Sequence, residues 1–250
     1  MLGLRVIKVG GSELDDAAWR SRFAGAVRSA RPAVVVHGGG RRISTWQERL
    51  GLPVEKVDGV RVTSPEVADV AHMVLCGPVQ SDLVRAFRAH GVEAVGLAGA
   101  DGYFTIELVD AERLGRVGRV TRVDVESLRR LLASGFTPVV APSSVDAGGE
   151  AVNVNADEAA AAVARALGAI ELLFVSDVPG VLRDGRPLPF VSADAVPDLI
   201  AQGVVADGMV AKLLAARSAG VARVRIGDLT MLTSPDSGTL IAMSSVEAAA

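Results

Sequence analysis

Apolar residues fall in short, nearly unbroken runs over Leu4–Val9, Ala33–His37, Ala94–Leu97 and Thr137–Ala141, and helical periodicity fills 15–29, 41–50, 65–89 and 124–134 between or beside them. The second half repeats the alternation, with helical patterns over 156–167 and 207–219 and extended runs over Leu172–Val175 and Arg223–Ile226. Continuously apolar strands alternating with helices predict an α/β fold, a three-layer αβα sandwich with a largely parallel central sheet. Gly135, Gly168 and Gly220 follow helical patterns, as left-handed caps do. Thr63 and Glu66 have capping-box spacing with Pro65 between them, which predicts the start of the long helix. That helix is a candidate dimer surface and equally a candidate buried element. Val54–Val57 and Val60–Val62 around Asp58-Gly59 predict a hairpin.

Composition narrows the function classes. Half of the 250 residues are hydrophobic and 22% are charged, which excludes disorder. A net charge of -3, with no basic stripe or aromatic platform, argues against nucleic acid as a partner. A lone Cys76 cannot form an internal disulfide, and with only His37, His72 and His90 no structural zinc set exists. Neither a signal-peptide pattern nor a membrane-length apolar stretch is present, so the expected location is the cytoplasm, away from any membrane.

Rare residues are the informative ones. Of the 26 basic residues 23 are arginine, and the lysines are Lys8, Lys56 and Lys212. A lysine kept against that bias marks a position suited to a compact, rotatable ammonium, although Lys56 sits beside a turn and reads as a surface charge. Asparagine occurs twice, at Asn153 and Asn155 within Val152-Asn153-Val154-Asn155-Ala156-Asp157. Helix capping accounts for one polar residue at that junction and leaves Asn153, alternating with Asn155 on one side of an extended segment, for another purpose.

Three glycine-bearing turns track strand ends: Lys8-Val9-Gly10-Gly11-Ser12, His37-Gly38-Gly39-Gly40 and Ser176-Asp177-Val178-Pro179-Gly180. Ligands of open parallel sheets collect at strand C-terminal ends, where glycine backbone can approach phosphate oxygens. Neither a Walker loop nor GxGxxG occurs, so the design differs from the two commonest nucleotide motifs. Lys8 precedes one glycine pair and Lys212 lies in a segment that opens a helix. Two ammonium groups flanking one phosphoryl group, held by Asp157, suffice for a reaction catalysed by positioning and charge stabilisation. An ionised carboxylate acceptor needs no general base, and His37 reads as a strand-end packing residue. Arg61 could clamp a substrate carboxylate, although on residue type alone a solvated arginine is the ordinary reading.

Taken in order, Lys8-Val9-Gly10-Gly11, His37-Gly38-Gly39-Gly40, Gly59-Val60-Arg61-Val62-Thr63, Asn153-Val154-Asn155-Ala156-Asp157, Ser176-Asp177-Val178-Pro179-Gly180 and Asp207-Gly208-Met209-Val210-Ala211-Lys212 resemble the amino-acid kinase family over nearly the whole chain. The resemblance is strongest to members acting on N-acetyl-L-glutamate. It implies an N-terminal lobe, 1–150, for dimerisation and for acceptor binding by Gly39, Gly40, Arg61 and Asn153. It also implies a C-terminal lobe, 151–250, for ATP, with Gly10, Gly11, Ser176, Asp177 and Met209 as nucleotide contacts. Lys8, Lys212 and Asp157 would be catalytic, Mg2+ would travel on the nucleotide phosphates with no protein metal site, and the protein would be a homodimer without arginine feedback. Gly77-Pro78-Val79-Gln80-Ser81 and Ser143-Ser144 depart from the family's Gly-Lys-Val-Asn-Lys and Ile-Gly. A kinase for a carrier-linked aminoadipate or glutamate group, or a non-catalytic nucleotide-binding module, are the alternatives.

Overall fold

In the computed structural model, which describes residues 3–242, the apolar runs become strands of one sheet. They are β1 (Arg5–Val9), β2 (Ala33–His37), β3 (Ala94–Ala98), β4 (Thr137–Ala141), β5 (Glu171–Val175), β6 (Phe190–Ser192), β7 (Val224–Gly227) and β8 (Thr239–Ala242). The order across the sheet is β6-β8-β7-β5-β1-β2-β4-β3. Strands β3, β4, β2, β1, β5 and β7 are mutually parallel; β8 runs antiparallel to β7 and carries β6 parallel to itself. Strands from the first 150 residues therefore share one continuous sheet with those of the second half, meeting where β1 pairs with β5.

Both faces of this sheet are covered, as continuously apolar strands require. The helices are α1 (Ala17–Ser29), α2 (Gly40–Arg49), α3 (Pro65–Val74), α4 (Gln80–Ala89), α5 (Val125–Ala133), α6 (Ala156–Leu167) and α7 (Asp207–Ser218). Alternate residues of β1 face opposite layers: Val6 packs with the alanine-rich α6 and Leu213 of α7, while Ile7 packs with Phe23 of α1 and Phe87 of α4. This is the three-layer sandwich the alternation predicts. Among the described residues no helix is long and apolar enough to cross a membrane.

Several local expectations change. The helical stretch 65–89 is interrupted by a wide π turn over Leu75–Val79, where Pro78 has no N–H to continue the ladder. Its N-cap is Ser64, whose hydroxyl accepts from Val67 N, with Pro65 as the first helical residue. Thr63 is instead wholly buried and donates to the Arg61 carbonyl at 2.8 Å. The hairpin is shorter than predicted, Lys56–Val57 against Val60–Arg61, closed by Asp58 and Gly59 at φ 51° and 80°, a turn that asks for two left-handed residues. Gly168 caps α6 at φ 62°, as predicted.

A second sheet is formed by 104–108, 117–123, 143–145 and 151–154; the sequence reading has only the extended segment around Asn153, and the first two strands escape it because exposed positions interrupt them. It holds the two departures from the family pattern near residue 143. Ser143 Oγ lies 2.8 Å from His72 Nδ1, and Ser144 Oγ donates to the Phe104 carbonyl. Gln80, the other departure, is buried and donates to the Leu97 and Val139 carbonyls at 2.8 and 2.9 Å, tying α4 to β3 and β4.

Candidate active site

Strands β5, β1 and β2 end level, with Val9 opposite both Val175 and His37, so Gly10, Ser176 and Gly38 leave the sheet at one height. A cavity of about 470 Å³ opens above this edge. The glycines at its floor are dictated by packing as well as by turning. A Cβ on Gly11 would lie 2.6 Å from Gly40 N and 2.7 Å from Gly39 Cα, and one on Gly39 would lie 2.9 Å from Leu75 Cδ2. Only side-chain-free residues let the two turns press together, backbone to backbone. Gly10, Gly11, Gly39 and Gly40 all line the cavity.

Three lysines line it, exposed Lys56 on the hairpin and two that enter from β1 and α7. Lys8, on β1, is 5% exposed, and its Nζ lies 2.9 Å from Asp157 Oδ1 on the first turn of α6. Lys212, on α7, donates to the Gly208 carbonyl one turn back at 3.2 Å. Burial and then the Lys8 ammonium hold Lys212 below the ordinary lysine range, opposed by the carboxylates of Asp157, Glu13 and Asp177. Asp157 thus contacts one of the two lysines directly and reaches the other through its field. The neighbouring Asn155 side chain accepts from Asp157 N and Glu158 N, so of the two asparagines it is Asn155 that caps α6.

The other end of the cavity is built around Arg61. The expectation of a solvated arginine is overturned: Arg61 is 7% exposed, because three neutral oxygens on α2 receive it. It donates to Gly40 O at 2.9 Å, Ser44 Oγ at 3.0 Å and Gln47 Oε1. No carboxylate among the described side chains pairs with it, leaving a buried cation whose charge an anionic ligand could meet. Asn153, in the strand 151–154, donates to Thr63 Oγ1 at 3.3 Å, and Thr63 in turn holds the Arg61 carbonyl. Both Arg61 and Asn153 line the cavity, so one concave surface carries the ammonium groups of Lys8, Lys56 and Lys212, the guanidinium groups of Arg41 and Arg61, and glycine backbone.

Ser176, Asp177 and Met209 stand outside the cavity lining. Ser176 is buried just past β5 and donates to Asp177 Oδ1, itself exposed; Met209 is half-buried in the first turn of α7. Ser176 and Asp177 occupy the same sheet edge, on the β5 side, and Met209 packs against the core from α7. His37 is fully buried, with its pKa pushed down to about 4 by that burial, and is absent from the cavity lining, in keeping with a packing residue.

Residues unremarked in the sequence complete the surface. Ser44 and Gln47 hold Arg61; with Gly40 they fall at i, i+4 and i+7, one stripe of α2, and a polar stripe on a buried helix face is the signal that could have found them. Glu13 also lines the cavity, and its Oε2 is buried without a hydrogen-bond partner.

The chain has relatives of high similarity. An acetylglutamate kinase of Chloroflexus aurantiacus is 48% identical over 247 residues, 96% of each chain, and one of Geobacillus kaustophilus is 45% identical over 219 residues, covering 86% of this chain and 84% of the relative. Among solved structures, smu.665 from Streptococcus mutans superposes with a TM-score of 0.86 at 30% identity, covering 98% of this chain and all of the other. A Giardia carbamate kinase, at 15% identity and a TM-score of 0.68 over 96% and 98% of the two chains, shares the fold. The model of the amino acid kinase family matches residues 3–227, and with relatives this similar over nearly its full length, the chain belongs to that family.

Proposed function

We propose that the protein transfers the γ-phosphoryl group of ATP to the side-chain carboxylate of N-acetyl-L-glutamate, a step of arginine biosynthesis that forms an acyl phosphate and ADP. The carrying observation is one cavity that contains the buried Lys8–Asp157 pair and Lys212, with Arg61 and Asn153 at its far end. The acetylglutamate kinase relatives support the choice of acceptor.

In this reading Arg61 binds the acceptor's backbone carboxylate with Asn153, Gly39 and Gly40 around it. One oxygen of the side-chain carboxylate attacks phosphorus as the bond to the ADP oxygen breaks. A carboxylate with an ordinary pKa of ~4.3 is already ionised at neutral pH, so no proton has to be removed. Charge on the three equatorial oxygens is met by Lys8, by Lys212 and by the backbone of Gly10 and Gly11. Asp157 keeps the Lys8 ammonium aimed. Ser176 and Asp177, on the β5 side, and Met209 of α7 hold the nucleotide.

A magnesium ion carried on the nucleotide phosphates would supply neutralising charge there when bound. No group of three or more His, Cys, Asp or Glu side chains suited to a metal occurs among the described residues, and a phosphate-borne ion does not require one. The first 150 residues form the acceptor lobe and the remainder the nucleotide lobe. The working state is a cytoplasmic homodimer formed through the 65–89 segment, where Met73 is 45% exposed.

The test is ADP release together with hydroxylamine trapping of the acyl phosphate, run with N-acetyl-L-glutamate, L-glutamate and a carrier-linked glutamate. Trapped product from N-acetyl-L-glutamate alone is the expected result; product only from the carrier-linked acid would overturn the choice of acceptor.

A further inference from the structure

The connection from β7 to β8, residues 228–238, has the Thr, Ser, Pro, Asp and Gly composition of an ordinary surface loop. The fold pins it down instead. Arg225 of β7 is 3% exposed and donates to three carbonyls of this one segment, Met231 O at 3.1 Å, Ser234 O at 3.1 Å and Ser237 O at 2.8 Å. Arg223, just before β7, donates to a fourth, Pro235 O, at 2.7 Å. Buried Glu171 of β5 fixes both guanidinium groups, accepting from Arg225 Nε at 2.7 Å and lying 3.2 Å from Arg223 Nε. Charge-assisted bonds of this kind are the stronger class, and the side chains of Met231 and Leu232 are buried as well. The segment is a strap fastened to the sheet.

Both ends of the strap grip the turn that carries Ser176 and Asp177. Where the strap begins, Gly227 O accepts from Ser176 N at 2.8 Å. Where it ends, wholly buried Thr239 uses its hydroxyl twice: Oγ1 accepts from Val181 N at 2.8 Å and donates to Leu188 O at 2.6 Å. The fit leaves no slack. A Cβ on Gly180 would lie 2.5 Å from Thr239 Oγ1, and one on Gly227 would lie 2.9 Å from Gly238 Cα and 3.0 Å from Pro179 O. Ser176 and Asp177 therefore hang between two holds, one at each end of the strap.

We propose that Thr239 is a positioning residue of the nucleotide turn and that the strap is the template on which this turn is set. Arg223, Arg225 and Glu171 fix the strap, and the Thr239 hydroxyl passes its position on to Gly180 and Val181. Thr239 acts through the turn, not on the nucleotide itself. This rests on the reading of Ser176 and Asp177 as nucleotide contacts and does not depend on which acid is the acceptor.

The test is ADP affinity by titration calorimetry, with Mg2+ present and no acceptor, beside the KM of each substrate. Thr239→Val keeps the shape but strands a backbone N–H and a carbonyl, so ADP affinity is expected to fall about tenfold or more as the turn shifts. KM for ATP should rise in step, and KM for N-acetyl-L-glutamate should stay fixed. Thr239→Ser keeps the hydroxyl and loses a buried methyl, so it should bind ADP like the wild type although its melting temperature falls. Unchanged ADP affinity in Thr239→Val, or an equal loss in both variants, would overturn the positioning role. Amide hydrogen exchange of the wild type adds a measurement that needs no variant. Because coupling is reciprocal, ADP should slow exchange in peptides covering 228–239 as well as 176–181, and an unmoved strap would also overturn the proposal. No ADP binding by the wild type would remove the nucleotide reading and this inference together, whereas wild-type binding with an indifferent Thr239 removes the inference alone.

Discussion

Lys8 Nζ and Asp157 Oδ1 lie 2.9 Å apart beneath the cavity, with side-chain exposures of 6% and 10%, and join the central strand β1 to the first turn of α6. Breaking a buried pair from one side leaves a charge with no solvent and no partner, at ~3–5 kcal/mol. Asp157→Asn should therefore lower the melting temperature as well as the turnover, whereas Lys8→Met with Asp157→Leu together should restore most of the stability and none of the activity. Calorimetry alongside the ADP assay checks both halves.

Lys212 separates chemistry from folding. Its ammonium is tied only to Gly208 O among the described residues, so Lys212→Ala should leave the melting temperature within a degree or two while lowering kcat by ~10²-fold or more, the cost of one transition-state charge. The protonated form is the active one and burial lowers its pKa, so kcat should decline as pH rises, and at a lower pH than an ordinary lysine would give. In Lys212→Arg that alkaline decline should disappear.

Arg61 is expected to act on acceptor binding. Its planar group fits Gly40 O, Ser44 and Gln47 at once, which an ammonium cannot do. Arg61→Lys should raise KM for N-acetyl-L-glutamate by ~10-fold or more with little change in KM for ATP, measured by varying each substrate in turn. A uniform rise in both would point to a collapsed cavity instead.

His37 gives the pH dependence of stability. Fully buried and lowered to about 4 from the ordinary 6.5, it stays neutral in the fold while the unfolded chain takes up a proton. Its stabilising contribution is complete above about pH 6.5 and is lost as pH falls toward 4, amounting to about 3 kcal/mol over that window. The melting temperature of His37→Asn should fall less steeply across the same range.

Gly11→Ala should fold poorly or with a widened floor. The added carbon would meet the Gly39 and Gly40 backbone, neither of which can swing aside, at a cost of ~1–3 kcal/mol. ATP affinity by calorimetry should drop with stability, since the same two turns line the cavity.

Much of this was legible in the residues. The buried strands announced themselves because a strand covered on both faces is apolar throughout, and the asparagine cluster and scarce lysines singled out the cavity. What stayed hidden depends on neighbours distant in sequence. Ser44 and Gln47 look like any polar helix positions until Arg61 is laid across them. Thr63 has the spacing of a cap, yet it is buried because the chain around it is drawn under the second sheet, and the cap passes to Ser64. Glu13 resembles a helix-start acid, and only the fold of the turn over Gly10 turns it inward.

The level ends of β5, β1 and β2 carry one last implication. In the proposed reaction the nucleotide side, Lys8 and the acceptor side would hang from three neighbouring strands spaced by roughly 4.8 Å, so their separation would follow from backbone pairing and side-chain substitutions would alter the lining more readily than the span.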